Sequence, residues 1–379
     1  MSGTAKFPCA NCGASLTFDP GVATLACPYC GAVNDLPPAE AGPWEKPEAE
    51  LVELDLAEAL AGLERGAAAD ENTETTTTIR CTGCGAEVSL GAGALAENCP
   101  FCATPLSKDA AHSHRHPRPQ GVLPFSLDER EARERMKAWL GGLWFAPNRL
   151  KEFAEAGRPM QGVYVPHYTY DAAGRAEYRG MRGDAYYVTE TVVVERNGES
   201  VRERRQVRKI RWSQVSGRVA RAFDDVLVPA SETLTEFARD AVVETPDWDL
   251  AGMQAYRAEY LAGFRAEAPS LALQVGFERA AGAMEGVLRH DARRDIGGDE
   301  QRITALRARF DDVTFKHVLL PVWLAAYRWN NTAYRVVVNA RTGRVTGQRP
   351  YSTWKIALAV VAGLIVLGAI VFLAQMQQR

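Results

Sequence analysis

Eight cysteines, all that the chain contains, fall into one pattern used twice: Cys9-x-x-Cys12, fourteen residues, Cys27-x-x-Cys30, then Cys81-x-x-Cys84, fourteen residues, Cys99-x-x-Cys102. Two thiolates on one tight turn reach the same ion, and a second pair arriving from a hairpin completes a tetrahedral site of four sulfurs. Gly13, Gly31 and Gly85 follow the second cysteine of three of the four turns, where the chain doubles back. Pro28 and Pro100 stiffen two turns, and Ala103 departs from the glycine rule after Cys102. The pattern predicts two small four-cysteine zinc ribbons and two Zn2+ ions, one held by Cys9, Cys12, Cys27 and Cys30, the other by Cys81, Cys84, Cys99 and Cys102. Spacing alone does not separate zinc from iron in such a site. A disulfide framework would need an oxidising compartment, and Met1 to Pro8 carries no apolar signal core. Four cysteines leave no open coordination position, so the expected metals are structural and supply folding free energy.

The other end of the chain is as constrained. Ile356 to Ala374 is uncharged, and as a helix its nineteen residues span about 28 Å, a bilayer's hydrocarbon thickness. Trp354 and Lys355 form an interfacial anchor, and Arg341, Arg344, Arg349 and Lys355 all precede the span, which by the positive-inside rule places the N-terminus and the bulk of the chain in the cytoplasm. The expectation is a single-pass, tail-anchored protein of the bacterial cytoplasmic membrane, with five residues beyond the span. Ala359 and Gly363 make a small-xxx-small pair suited to packing against another helix, a second copy included.

Between the ends, a net charge of −3 is unevenly spread. Eleven acidic residues from Glu40 to Glu74 face only Lys46 and Arg65, and the run Thr75 to Thr78 follows. The chain divides as ribbon 1 (1–36), an acidic flexible linker (37–76) with a short amphipathic helix around Leu51 to Leu63, and ribbon 2 (77–108). A flexible basic linker carrying His112, His114 and His116 (109–121) comes next, then an α+β cytoplasmic domain (122–350) and the transmembrane helix (354–375). In the α+β domain Ser126 and Glu129 form a capping box ahead of a helix with Ala132, Met136, Trp139 and Leu140 on one face. A second helix starts at Pro147 and runs through Leu150 and Phe153. Strands are expected at Val163 to Tyr170, Ala185 to Glu195 and Val201 to Val215 around an Asn197-Gly198 turn. Helices follow at Glu232 to Val243, Tyr256 to Glu267 and Leu271 to Arg293, and strands at Val313 to Tyr327, Tyr334 to Asn339 and Arg344 to Gly347. The fold class is α+β with mainly antiparallel strands. Val165-Pro166 and Leu320-Pro321 begin two similar segments, an internal echo.

Enzymatic motifs are missing. No Gly-Lys dipeptide offers a phosphate loop, and no Gly-x-Ser-x-Gly offers a nucleophile elbow. His167 and His317 read as structural strand histidines. Asp224-Asp225 and Asp311-Asp312 read as turn or strand-end residues, since neighbours on a strand face opposite ways. Asp295 to Asp299 reads as the cap of a helix beginning near Gln301, with cation binding as the alternative. The basic run Arg202 to Arg211 reads as a charged edge strand balanced by Glu190, Glu195 and Glu199, with anionic lipid or phosphate as the alternative.

The two ribbons, "VPHYTYDA" at Val165 to Ala172, "RRDIGGDEQRI" at Arg293 to Ile303, "FKHVLLPVWLAAYR" at Phe315 to Arg328 and "YRVVVNARTGRVTG" before the apolar span together resemble a bacterial family of membrane-anchored double zinc-ribbon proteins. That family is often labelled after the primosomal helicase, replication factor Y. The resemblance implies proximity to phage-shock and stomatin-like (SPFH) membrane-stress proteins as partners. It implies no motor, because the phosphate loop is missing. The expected function is a non-enzymatic, membrane-tethered zinc-ribbon adaptor that recruits protein partners to the cytoplasmic membrane face. The alternative is a membrane-associated nucleic-acid-binding protein. Lys6 is the only basic residue across ribbon 1, and Arg80 the only one from Ile79 to Leu106 in ribbon 2, which weighs against phosphate contacts there.

Overall fold

The computed structural model describes residues 7–22, 24–36, 51–65, 72–83, 85–89, 99, 104–106, 111–143, 160–196, 199–231, 248–329, 332–348 and 352–377. The helices expected from Pro147 and over Glu232 to Val243, the Asn197-Gly198 turn, Cys84 and Cys102 lie outside these residues.

Period-two alternation dominates, and the chain is α+β with antiparallel sheet as its main component among the described residues. Strands β1 (Thr17–Asp19), β2 (Thr24–Ala26) and β3 (Val33–Asn34) make a small N-terminal sheet. After β4 (Leu54–Asp55) and helix α1 (Leu56–Arg65), a second small sheet forms in the order β6 (Glu87–Ser89), β5 (Thr73–Arg80), β7 (Ala111–Pro117). Then come β8 (Gly121–Val122), α2 (Glu129–Gly141), β9 (Gln161–Arg196), β10 (Glu199–Pro229), the short strands β11 (Gln254–Ala255) and β12 (Arg265–Ala266), and α3 (Leu273–Ile296). Strands β13 (Glu300–Trp329), β14 (Thr332–Asn339) and β15 (Val345–Gly347) precede the C-terminal helix α4 (Thr353–Gln377). The main sheet runs β10-β9-β13-β14-β15.

Residues opposite one another in an antiparallel ladder share a face, so the register assigns each side of this sheet. At its base Val163, Val165, Val318, Leu320 and Val322 point one way and pack with Ile79, Val88 and Leu106 of the second cysteine segment. Tyr164, Leu319, Trp323, Val336 and Val338 point the other way, into a cluster with α2 and with Leu16, Phe18 and Leu25 of the first. The two cysteine segments thus cover opposite faces of one sheet. The echoed segments Val165-Pro166 and Leu320-Pro321 are themselves ladder neighbours, with Val165 opposite Leu320.

Further along, α3 lies on the Tyr164 side. Its buried residues recur every four positions, Gly276, Ala280, Met284, Leu288, Ala292 and Ile296, one helical face. The phenolic hydroxyls of Tyr168, Tyr170 and Tyr178 donate to Leu271 O (3.3 Å), Leu273 O (2.9 Å) and Asp295 Oδ2 (2.6 Å), pinning the helix along the strand. A Cβ on Gly276 would stand 2.5 Å from the Tyr170 hydroxyl, so the glycine sets the helix–sheet distance.

Several expectations are corrected. The strands predicted at Val163 to Tyr170 and Ala185 to Glu195 are one strand running to Arg196, because Ala172, Gly174, Ala176 and Gly180 alternate as small residues toward close neighbours. The helix expected over Tyr256 to Glu267 is instead a single 3-10 turn, Ala258–Leu261, between β11 and β12. Here Gly263 takes φ +82° and the Phe18 N–H donates to Ala262 O at 2.9 Å. The capping box of α2 is Asp128 with Glu131; Ser126 Oγ donates to Ala340 O at 2.9 Å instead. Asp295 to Asp299 does not open a helix. Helix α3 ends at Ile296, Gly297 and Gly298 turn with φ 63° and 74°, and β13 starts at Glu300. The acidic stretch expected to be a flexible linker has its expected short helix, as α1 at Leu56–Arg65 preceded by β4, but Leu54, Leu56, Leu60 and Leu63 pack it into the core. The histidine tract expected to be a flexible linker is β7, and it pairs with the threonine run, Thr75 opposite Arg115 and Thr78 opposite His112. β-Branched threonines favour this extended pairing.

The first cysteine segment is clamped to the body. Phe18 meets the Tyr260 ring edge-on at 5.4 Å, and a Cβ on Gly263 would lie 2.3 Å from Thr17 Cγ2. Gly263→Ala is therefore expected to lose about 1–3 kcal/mol, read as an earlier denaturant midpoint together with faster proteolysis between β1 and β3.

Candidate metal centre

Four thiols converge near the N-terminus. The ligand sulfurs of Cys9, Cys12, Cys27 and Cys30 lie within 4.8 Å of one another, with Cys9–Cys30 at 3.7 Å and Cys12–Cys27 at 3.5 Å. A tetrahedron of sulfurs about 2.3 Å from one ion has edges of about 3.8 Å, whereas a disulfide would bring two of them to about 2.0 Å. All four are free thiols that could hold one metal ion, Cys9 and Cys27 buried, Cys12 and Cys30 exposed.

Local backbone geometry prepares these sulfurs. In each turn the first cysteine N–H donates five residues ahead, Cys9 to Ala14 O and Cys27 to Ala32 O, while the glycine N–H returns to the cysteine carbonyl, Gly13 to Cys9 and Gly31 to Cys27. Gly13 and Gly31 take φ +73° and +72°, which explains the glycines after the cysteine pairs. The Ala32 amide and the Asn11 side chain bring the Cys30 thiol down to about 6. Cys9 is also lowered, by the amides of Cys12 and Asn11. At Cys12 the Ala14 amide acts the same way, but crowding by the Cys27 and Cys30 sulfurs outweighs it and raises that thiol to about 12. Four thiolates at these distances need a cation among them, which is the donor set a soft divalent metal takes.

The second segment repeats the turns at its described residues. Cys81 N–H donates to Ala86 O and Gly85 N–H returns to Cys81 O at 2.8 Å, with Gly85 at φ +78°; Cys99 N–H donates to Thr104 O. The Gly83 amide is 3.4 Å from Cys81 Sγ. Cys81 and Cys99 are both buried, as Cys9 and Cys27 are.

At the other end, Thr353–Met376 is a helix long and apolar enough to cross a membrane, with an 18-residue stretch of mean hydropathy 3.0, no part of which is buried by the rest of the chain.

The remaining candidates sit around two β-bulges. Register shifts at Phe223/Val226 and Asp311/Thr314 put Asp225 (φ 51°) and Asp312 (φ 52°) in left-handed conformations. The bulge breaks the alternation that was expected to separate Asp224 from Asp225, and both come within 4.8 Å of Asp171. Lys316 supplies a cation to this cluster. Its Nζ lies 2.9 Å from Glu53 and from Asp225 and 3.3 Å from Asp171. Burial opposes the lysine's charge, but the carboxylates outweigh it and hold its pKa above the ordinary value. Nothing local in sequence marks Lys316, because Glu53 is 263 positions away.

His167 and His317 are fully buried, brought down to about 4 and about 3 by that burial. Each ring uses Nδ1 against a carbonyl, Val165 O at 3.2 Å and Pro117 O at 2.8 Å. They lie on opposite faces of the sheet, since His167 is level with Val318 and His317 with Tyr168, so they do not form one site. Asp299 accepts from the Ala185 amide at 2.7 Å, a structural use.

No family model matches this chain and no solved structure matches it. It is 22% identical over 365 residues to the uncharacterized protein YdjG of Bacillus subtilis (strain 168), which covers 93% of this chain and 92% of the relative.

Proposed function

We propose that this chain is a membrane-tethered adaptor in which two zinc ribbons, one on each face of a single sheet, present a fixed surface to a protein partner at the cytoplasmic face of the membrane. The observation that carries the reading is the combination of a thiol cluster spaced for one tetrahedral ion, packed into the core rather than hung on a tether, with an uncovered apolar C-terminal helix. The repeated turn hydrogen bonds at Cys81 and Cys99 support a second metal site. Fixed ribbons preorganise a binding surface and lower the ordering cost of association. The near-full-length similarity to YdjG supports a shared architecture from ribbons to helix, and that relative's name assigns no activity.

The partner class suggested by the resemblance is a phage-shock or SPFH-type membrane-stress protein. The test is imaging of such a protein as a fluorescent fusion in cells carrying either the full chain or the chain ending at Ser352. The expected result is a membrane-bound partner with the full chain and a partner released to the cytosol with the truncated one. An unchanged partner distribution would overturn the adaptor reading.

A further inference from the structure

The distal part of the main sheet has one covered side and one bare side. Helix α3 covers the face of Tyr170, Ala172 and Tyr178, while the opposite face is exposed along its length. By register this bare face carries Arg175, Arg179, Arg218, Arg302, Arg307 and Arg309. It continues past Gly183, where β13 stops pairing, onto a two-stranded hairpin arm. There Arg208 lies opposite Tyr187, Arg204 opposite Thr191 and Arg202 opposite Val193.

Among the described residues, these nine arginines meet four acids on the same face by register, Glu177, Glu195, Glu300 and Asp311. Glu177, Glu300 and Asp311 are already engaged, by Arg218 at 2.9 Å, Arg208 at 3.0 Å and Arg175 at 4.0 Å. Arg302 stacks on Trp212 at 4.1 Å. Arg179, Arg202, Arg204, Arg307 and Arg309 make no ion pair with a described residue. The arm's other face is balanced, with Lys209, Arg205 and Arg211 against Asp184, Glu190 and Glu203. Lys209 there reaches Glu190 at 2.5 Å. The expected charge-balanced edge strand therefore holds for one face of the hairpin and fails for the other.

We propose that this arginine face, with its hairpin arm, docks on the anionic phospholipid surface of a bilayer. Guanidinium groups pair with phosphate esters through two parallel N–H donors, and the face contains arginine and no lysine. On the arm, Tyr187 and Val193 are each 65% exposed on the arginine side. Apolar and phenolic side chains set among arginines suit the headgroup boundary, where the phenol stays hydrated and the aliphatic group leaves water. Nucleic acid would stack bases on open aromatics, and of the two rings on this face Trp212 already lies beneath Arg302, which leaves Tyr187 alone. A second copy would meet like charge. Helix α4 keeps a bilayer at high effective concentration. The chain leaves for that helix through β15, at the opposite end of the sheet from the arm, so the arm can be probed with a separate membrane.

The test holds full-length protein in nanodiscs of phosphatidylcholine alone and offers phosphatidylcholine vesicles with or without phosphatidylglycerol, scored by co-flotation. The discs are expected to float with the anionic vesicles only, and less so as salt rises. Arg202→Gln/Arg204→Gln is expected to cut capture on the order of tenfold or more. Arg205→Gln/Arg211→Gln removes the same charge from the other face and is expected to leave capture nearly unchanged. All four side chains are exposed. Failure to capture anionic vesicles, or equal loss in both variants, would overturn the proposal. Retention of labelled RNA or duplex DNA without vesicle capture would instead assign the face to nucleic acid.

Discussion

Cys27→Ser in the full-length protein is expected to remove one equivalent of metal from a total of two, and Cys27→Ser/Cys99→Ser to remove both, as read by elemental analysis of the purified protein. Structural zinc binding contributes about 10–16 kcal/mol near neutral pH, comparable to the whole stability of a domain. The first cysteine segment has little else among its described residues, where its own sheet is β1, β2 and β3. Its collapse would spread, because Leu16, Phe18 and Leu25 share a core with Tyr260, Trp323 and Val338. Phe264, stacked on Phe125 with centroids 4.0 Å apart, would lose Phe18 from its edge. The expected signs are a weaker near-ultraviolet circular dichroism signal and new proteolysis near β12, not merely near the mutated turn. Acid should act in the same direction, because metal ligation requires thiolates and affinity falls as they protonate. Wild-type protein without metal, or a Cys27→Ser variant that keeps two equivalents, would remove the ribbons from the proposed function. Visible absorption from the purified protein would point to iron in the same sulfur cage.

What sequence reveals here follows how locally each feature is encoded. The cysteine turns are legible because ligand, glycine and hydrogen bond all lie within six residues, as at Cys9, Gly13 and Ala14. Helix α4 is legible because nineteen consecutive uncharged residues have few other readings. Strand β9 is only half legible. Its valines and tyrosines announce a strand, but Ala172, Gly174 and Gly180 are small for the sake of partners more than forty positions away, such as Phe223 and Arg302. The arginine face is legible only in part for the same reason. Arg202, Arg204 and Arg208 lie close in sequence, but Arg179, Arg218 and Arg307 join them only once three strands are in register. The bulges at Asp225 and Asp312 have only a faint local signature, since aspartate is tolerated at φ > 0 but serves equally in ordinary turns and caps. Lys316 likewise gathers its carboxylates from three distant segments.

That lysine gives the second large effect. Lys316→Met should destabilise the full-length protein by about 2–3 kcal/mol in chemical denaturation. Breaking a buried ion cluster by removing one partner costs about 3–5 kcal/mol. The lower end applies because Glu53 and Asp225 are 42% and 34% exposed and water screens them. The sign of the pH dependence identifies the cause. In the wild type Lys316 lowers Glu53, so that contribution is present above the ordinary carboxylate range and is lost as pH falls through it. Lys316 itself is raised, so its contribution is complete below its unfolded value and is lost only as pH climbs through the folded one. Asp171, raised by burial, runs opposite to Glu53. Without the ammonium Glu53 and Asp171 lose the counter-charge that lowers them and take up protons more readily in the folded state, so the variant gains on the wild type as pH falls from 7 toward 5. The buried histidines His167 and His317 destabilise both proteins below about pH 6.5, the unfolded histidine value, and so cancel from the difference. Lys316→Met/Asp171→Asn should recover part of the loss at pH 7 by removing a carboxylate left inside. A gap between wild type and Lys316→Met that stays constant with pH would mean that the lysine acts through packing of its methylenes, and that the charges at the two bulges are incidental.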